Sequence, residues 1–156
     1  MVSMPEDSAA NLSVDPSFFK LLTESFHRIV GTPLVSDGLG PDWLYNDAPF
    51  VVVAHNTDAD PRFVYANKAA QACFEYPFDE FTTLPSRLSA ELPNRAERQT
   101  LLEAVTRDGF ISDYRGLRIA KSGRRFWIED GIVWQLIDAE GNRRGQAATF
   151  TKWKDA

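Results

Sequence analysis

The chain has 156 residues, 44% of them hydrophobic and 25% charged, with a formal net charge of −5. That length suits one domain burying roughly 70% of its unfolded surface, the composition excludes disorder throughout, and the acidic balance argues against a nucleic-acid partner. One cysteine, Cys73, excludes an intrachain disulfide or a cysteine-based metal cluster, and neither a membrane span nor a signal peptide is legible, so the expected location is the cytoplasm.

Residues 1–14 are small, polar and acidic and read as a disordered lead-in. A helix then opens on Asp15 as N-cap with Pro16 in its first position, and Gly31 with Pro33 beyond it closes it. Phe18, Leu22, Phe26 and Ile29 recur at helical spacing and form one apolar stripe. Residues 31–42, rich in glycine and proline, read as a linker, so residues 15–42 are helix plus linker and residues 43–154 the main domain. Phe50 to Ala54 and Phe63 to Ala66 read as strands joined by the polar turn Asn56 to Pro61. Asn67 caps a short helix, and a second helical piece runs from Pro77 to about Leu84. A longer helix is expected from Asn94, with Glu97 three residues on as in a capping box, and Gly109 ends it. Three strands follow, Ile111 to Ala120, Arg125 to Ile137 and Gln146 to Trp153, giving the order β-β-α-α-α-β-β-β.

The motifs of common enzymes and metal sites are missing. The two histidines, His27 and His55, cannot build a three-histidine zinc site, and neither stands in a metalloprotease spacing. Asp58 and Asp60 lack the glycine and the distant glutamate of a calcium loop and read as a turn. Basic pairs at Arg124-Arg125 and Arg143-Arg144 flank glycine turns and read as solvated surface. Glu129 and Asp130 lie mid-strand, where alternation places one of them inside, as a structural ion pair or as a site.

Four stretches carry a resemblance. Phe63-Val-Tyr-Ala-Asn67-Lys-Ala-Ala resembles the second strand and following helix start of PAS domains. Phe74-Glu-Tyr-Pro-Phe-Asp-Glu80-Phe resembles the aromatic helix end and acidic helix after it. Lys121-Ser-Gly-Arg-Arg-Phe-Trp127-Ile-Glu and Asp138-Ala-Glu-Gly141 resemble the last hairpin turns. Within that group, the block from Ala48-Pro-Phe through Leu84-Pro-Ser-Arg-Leu-Ser-Ala90 to Gly145-Gln-Ala-Ala resembles the MEKHLA domain, and a chain of this length without a DNA-binding region looks like its stand-alone bacterial form. The resemblance implies an α+β PAS-like fold: a five-stranded antiparallel sheet with short helices on one face, plus the N-terminal amphipathic helix. It leaves the cofactor unknown. In the light-sensing LOV branch, flavin chemistry uses a cysteine that Ser86 replaces here, and Arg118 and Ile128 stand where flavin-holding asparagines are expected, so flavin–thiol photochemistry is not expected.

Given that fold, period-two alternation turns Val52 and Ala54 inward from the first strand, and Tyr114, Gly116 and Arg118 from the third. Ile128, Asp130, Ile132 and Trp134 face inward from the fourth, with Ala148 and Phe150 on the fifth and Ser86 and Arg87 at the mouth. Arg118 then needs an anion, supplied either by Asp130 or by a carboxylate-bearing or aromatic small-molecule ligand. The N-terminal helix is expected on the other sheet face, with Tyr65, Trp127 and Trp153 as candidates for the surface it covers, or against a second copy, and a homodimer is expected through Phe18, Leu22, Phe26 and Ile29 and the outer sheet face. The expected role is a non-catalytic sensor or interaction module, acting on an unidentified signalling partner. The alternatives are a small cone-shaped enzyme using His55, Glu129 or Asp130 as acid or base, and a scaffold whose pocket Trp134 and Phe150 fill.

Overall fold

A computed structural model describes residues 12–156. Residues 1–11, most of the expected lead-in, lie outside the described residues. Helix α1 (Pro16–Val30) begins where the Asp15 carboxylate accepts from the Phe18 N–H at 2.8 Å and stops at Gly31, whose φ of 98° lies in the left-handed region. A further short helix, α2 (Pro41–Asn46), begins at the end of the stretch read as linker and is opened by its proline. Strands β1 (Val51–His55) and β2 (Phe63–Ala66) form an antiparallel pair. Helices α3 (Lys68–Phe74) and α4 (Phe78–Phe81) follow, then a 3-10 turn at Ser86–Ser89 and helix α5 (Leu92–Asp108). The last helix starts earlier than its sequence suggests: Glu91, not Asn94, holds the capping position. Strands β3 (Phe110–Ile119), β4 (Arg125–Ile137), β5 (Arg143–Phe150) and β6 (Lys152–Asp155) complete the chain.

The sheet is antiparallel in the order β2-β1-β5-β4-β3, with β6 pairing the first half of β4. β5 and β6 are the single strand expected from the sequence, interrupted at Thr151. The sheet is covered on both faces. On one side α3 and α4 bring Phe74 and Phe81 against Phe63, Phe126 and Phe150, and α5 brings Leu101 and Val105 against Tyr114 and Val133. On the other side α1 lays Phe18 on Tyr65, ring centroids 5.5 Å apart, and sets Phe26 edge-on against Trp134 at 4.8 Å. Ser25 fixes the far end of α1 by donating to the Ile137 carbonyl and accepting from its N–H, both at 2.9 Å.

Of the two placements expected for the N-terminal helix, on the sheet or against a second copy, it takes the first. Phe18, Leu22 and Phe26 are buried against the chain's own sheet, and Ile29 is half-buried near Gly109. A stripe already desolvated inside one molecule offers little apolar area to a second copy. Of the three aromatics named for the covered surface, α1 covers Tyr65. Trp127 instead stacks under the Arg115 guanidinium at 3.9 Å, and Trp153 packs edge-on to Phe150.

One buried side chain ties the layers together. Asn67 Oδ1 accepts from the Val52 and Ala70 N–H groups at 3.1 Å each, so it caps α3 and holds β1. Its Nδ2 donates to the Phe50 carbonyl at 2.9 Å and the Leu44 carbonyl at 3.1 Å, anchoring the end of α2.

Strands β3 and β4 are not regularly alternating. Ile111 opposes Val133 and Tyr114 opposes Gly131, so β3 carries an extra residue there; Gly116 opposes Ile128, so the next extra residue is in β4. Each bulge holds a left-handed aspartate, Asp113 at φ 55° and Asp130 at φ 54°. Aspartate tolerates this conformation better than most residues, and a bulge changes which side chains share a face.

Phe26→Ala should cost about 3–5 kcal/mol of stability in urea titration without altering the oligomeric state by sedimentation, because it empties an intrachain site. Asn67→Asp should cost about 3 kcal/mol or more by the same measurement. The carboxylate keeps the two accepting roles, but it cannot donate to the Leu44 and Phe50 carbonyls and it buries a charge.

Candidate functional site

Between the sheet and helices α3 and α5 lies a cavity of about 60 Å³. Its apolar wall includes Val53, Phe63, Leu101, Ile128, Val133 and Phe150. Tyr114 and Arg118 reach it from β3, Arg98 from α5, His55 from the end of β1 and Gln146 from β5. The Tyr114 ring lies across Gly116, where a Cβ would come within 2.2 Å of the phenol oxygen, so the absence of a side chain at Gly116 is what lets Tyr114 lie there.

The expected set divides. Tyr114, Arg118, Ile128 and Phe150 line the cavity. Ala54 and Ile132 border it, but both belong to the core beneath α1. Val52 and Trp134 face α1 altogether, and Val53 takes the inward place on β1. The β1 parity was illegible because all five of its residues are buried. The β4 parity changes because the Asp130 bulge puts Ile128, Gly131 and Val133 on the cavity side and Ile132, Trp134 and Leu136 toward α1. Asp130 itself is exposed and pairs with Lys152 at 3.2 Å, so it is not the counter-ion of Arg118. Ser86 is buried outside the cavity wall and accepts from Arg98 Nη2 at 2.8 Å; Arg87 is half-exposed and pairs with Asp60 at 3.1 Å. Both line a surface cleft that shares His55, Arg98, Leu102 and Gln146 with the cavity.

Arg98 is the residue that the sequence reading missed. It stands on α5 at helical spacing from Leu101, Leu102 and Val105, which is the signal that could have exposed it.

Two guanidinium groups therefore border one small space. Arg118 is 6% and Arg98 8% exposed. Arg118 donates to the Leu117 carbonyl at 2.9 Å and to the Tyr114 hydroxyl at 3.0 Å, and Tyr114 donates onward to the Glu97 carboxylate at 3.2 Å. Among the described residues, neither guanidinium has a carboxylate within ion-pair distance. Burial, and after it the charge of Arg118, lowers the pKa of Arg98 to about 10, which still leaves it cationic at neutral pH. His55 Nδ1 lies 3.0 Å from the Asn56 carbonyl, which can only accept, so Nδ1 carries the proton and Nε2 is a bare acceptor with no partner. Burial, reinforced by the positive charges of Arg98 and Arg143, lowers the pKa of His55 to about 4. Of the three groups named for acid–base work, only His55 lines the cavity. Glu129 is held between Arg115 and Lys154 on the solvent side, and Asp130 is exposed.

Ser86, which stands where the LOV branch has its flavin-reactive cysteine, is bonded to Arg98 and does not line the cavity.

The model of the MEKHLA domain family matches residues 16–155, and the chain belongs to that family. No curated protein sequence matches it. Among solved structures it is similar to the PAS domain of a protein from Colwellia psychrerythraea, with TM-score 0.60 and 15% identity over 74% of this chain and 92% of that one. It is also similar to the photo-excited blue-light photoreceptor Vivid, with TM-score 0.55 and 18% identity over 83% and 92% of the two chains. A PAS domain from a two-component sensor histidine kinase matches with TM-score 0.55 and 18% identity over 73% and 91%. The fold is that of PAS domains. No described helix is long and apolar enough to cross a membrane.

The depressed His55 pKa has a stability consequence. Its folded value lies below the unfolded 6.5, so between those values the unfolded chain binds more protons. Stability is full above pH 6.5 and falls as pH drops toward 4, by about 3 kcal/mol from this group. Urea titrations at pH 7 and 4.5 should show the loss, and His55→Gln should make the profile shallower.

Proposed function

We propose that the chain is a non-catalytic, cytoplasmic sensor module of PAS type. It holds a small carboxylate-bearing ligand on Arg118 and passes its ligand state to a partner protein. The observation that carries this reading is the buried Arg118 guanidinium beside a cavity, with only neutral oxygens as partners. An uncompensated buried charge costs several kcal/mol, and a ligand carboxylate would offset that cost. The apolar wall around a few convergent polar groups is the usual make-up of a small-molecule site. A ligand that binds the folded state unequally in two conformations shifts their populations, which is the form of signalling open to a module without catalysis.

Thermal unfolding in 10 mM acetate or glycolate, against chloride at equal ionic strength, tests the reading. At least one anion should raise the wild-type Tm by about 3–6 °C, as expected for a ligand at roughly ten times its Kd. Arg118→Ala should fold and lose the shift. An equal shift in the variant would remove Arg118 from the site, and no shift in the wild type would overturn the ligand reading.

A further inference from the structure

Resting on that reading, we propose that the ligand is a compact 2-hydroxy acid. Its carboxylate would sit between Arg98 and Arg118, and its hydroxyl would donate to Gln146 or His55.

The walls of the cavity carry two kinds of unmet hydrogen-bonding need. The first is for acceptors. A guanidinium has five N–H donors; Arg98 uses one, on Ser86, and Arg118 uses two, on Leu117 and Tyr114. The remainder suit a bidentate carboxylate, and the Coulombic repulsion between the two arginines falls when an anion lies between them.

The second need is for donors, and the backbone fixes it. Gln146, 2% exposed, donates through Nε2 to the Leu102 carbonyl at 3.2 Å and to Thr106 Oγ1 at 3.0 Å. A flipped amide would set its oxygen against the Leu102 carbonyl, so Oε1 stays an acceptor, and it is buried without a partner. His55, 7% exposed, is fixed in the same way: Nδ1 faces the Asn56 carbonyl and Nε2 is left as an unpartnered acceptor. A buried polar atom left unpaired costs about 1–3 kcal/mol.

A plain carboxylate answers the arginines and leaves both acceptors unmet. An amino acid offers donors, but its ammonium would be brought up to two guanidinium groups. A hydroxyl supplies a neutral donor. The cavity of about 60 Å³ favours a compact molecule, and its apolar wall favours a carbon skeleton over an inorganic anion. A carboxylate with a hydroxyl on the adjacent carbon is the smallest organic molecule that meets all of these conditions.

Isothermal titration with glycolate, acetate and glycine, which are close in size, tests the proposal. Glycolate should bind the wild type at least tenfold more tightly than acetate, and glycine should bind more weakly than either. In Gln146→Met or His55→Phe, checked for folding by circular dichroism, the glycolate-to-acetate ratio should fall toward one in at least one variant. Equal binding of glycolate and acetate by the wild type, lost in Arg118→Ala, would overturn the hydroxy-acid proposal and leave the carboxylate reading standing. Binding of neither anion would overturn both. If both variants fail to fold, the wild-type ratio alone decides.

Discussion

The side chain of Asn67 holds the molecule in register. One buried amide accepts from β1 and from the first turn of α3 and donates to carbonyls at Phe50 and Leu44. Neither α2 nor α3, at six and seven residues, is long enough to be stable alone. Their positions are set by where their ends are bonded, and both are bonded to the residue that also holds Val52. The same bond brings the two-sided strand β1 into one orientation, with Val51 and Val53 toward the helices and Val52 and Ala54 toward α1.

Burial on both faces follows from α1. With that helix in place, the sheet has no solvent face along β1 and along the second half of β4, and aromatic contacts such as Phe26 on Trp134 replace the polar surface usual for a half-exposed sheet. The N-terminal stripe is thus part of the fold itself, and Trp134, expected as a filler of the pocket, is drawn to the other side. The two aspartate bulges complete this division. They are displaced along the strand pair so that the extra residue in β3 is followed by one in β4, and pairing resumes in register at Gly116 and Ile128.

What remains inside is small and electrically unusual. Buried charges in proteins are ordinarily paired, yet Arg98 and Arg118 meet only neutral oxygens while His55 is held neutral beside them. The nearest carboxylate in the network, Glu97, reaches Arg118 only through the Tyr114 hydroxyl. Such an arrangement is a cost to the folded state unless something negative occupies the space.

Local chemistry was legible from the sequence. The Asp15 cap, the Gly31 stop and the Asn67 cap each act within a few residues along the chain, and the order of strands and helices follows from such signals. The third and fifth strands also disclosed Tyr114, Arg118 and Phe150 on the cavity side, because their alternation runs unbroken through those positions. The fate of Val52, Asp130 and Trp134 was decided by tertiary structure. β1 is apolar throughout, so no alternation distinguishes its faces, and a bulge is a pairing between two strands that one strand's residues do not encode. Arg98 and His55 belong to the same class: each looks ordinary on its own element, and only the packing of α5 against the sheet places them around one cavity. Short-range hydrogen bonding is written in neighbouring residues, whereas the facing of a strand buried on both sides depends on what the rest of the chain lays against it.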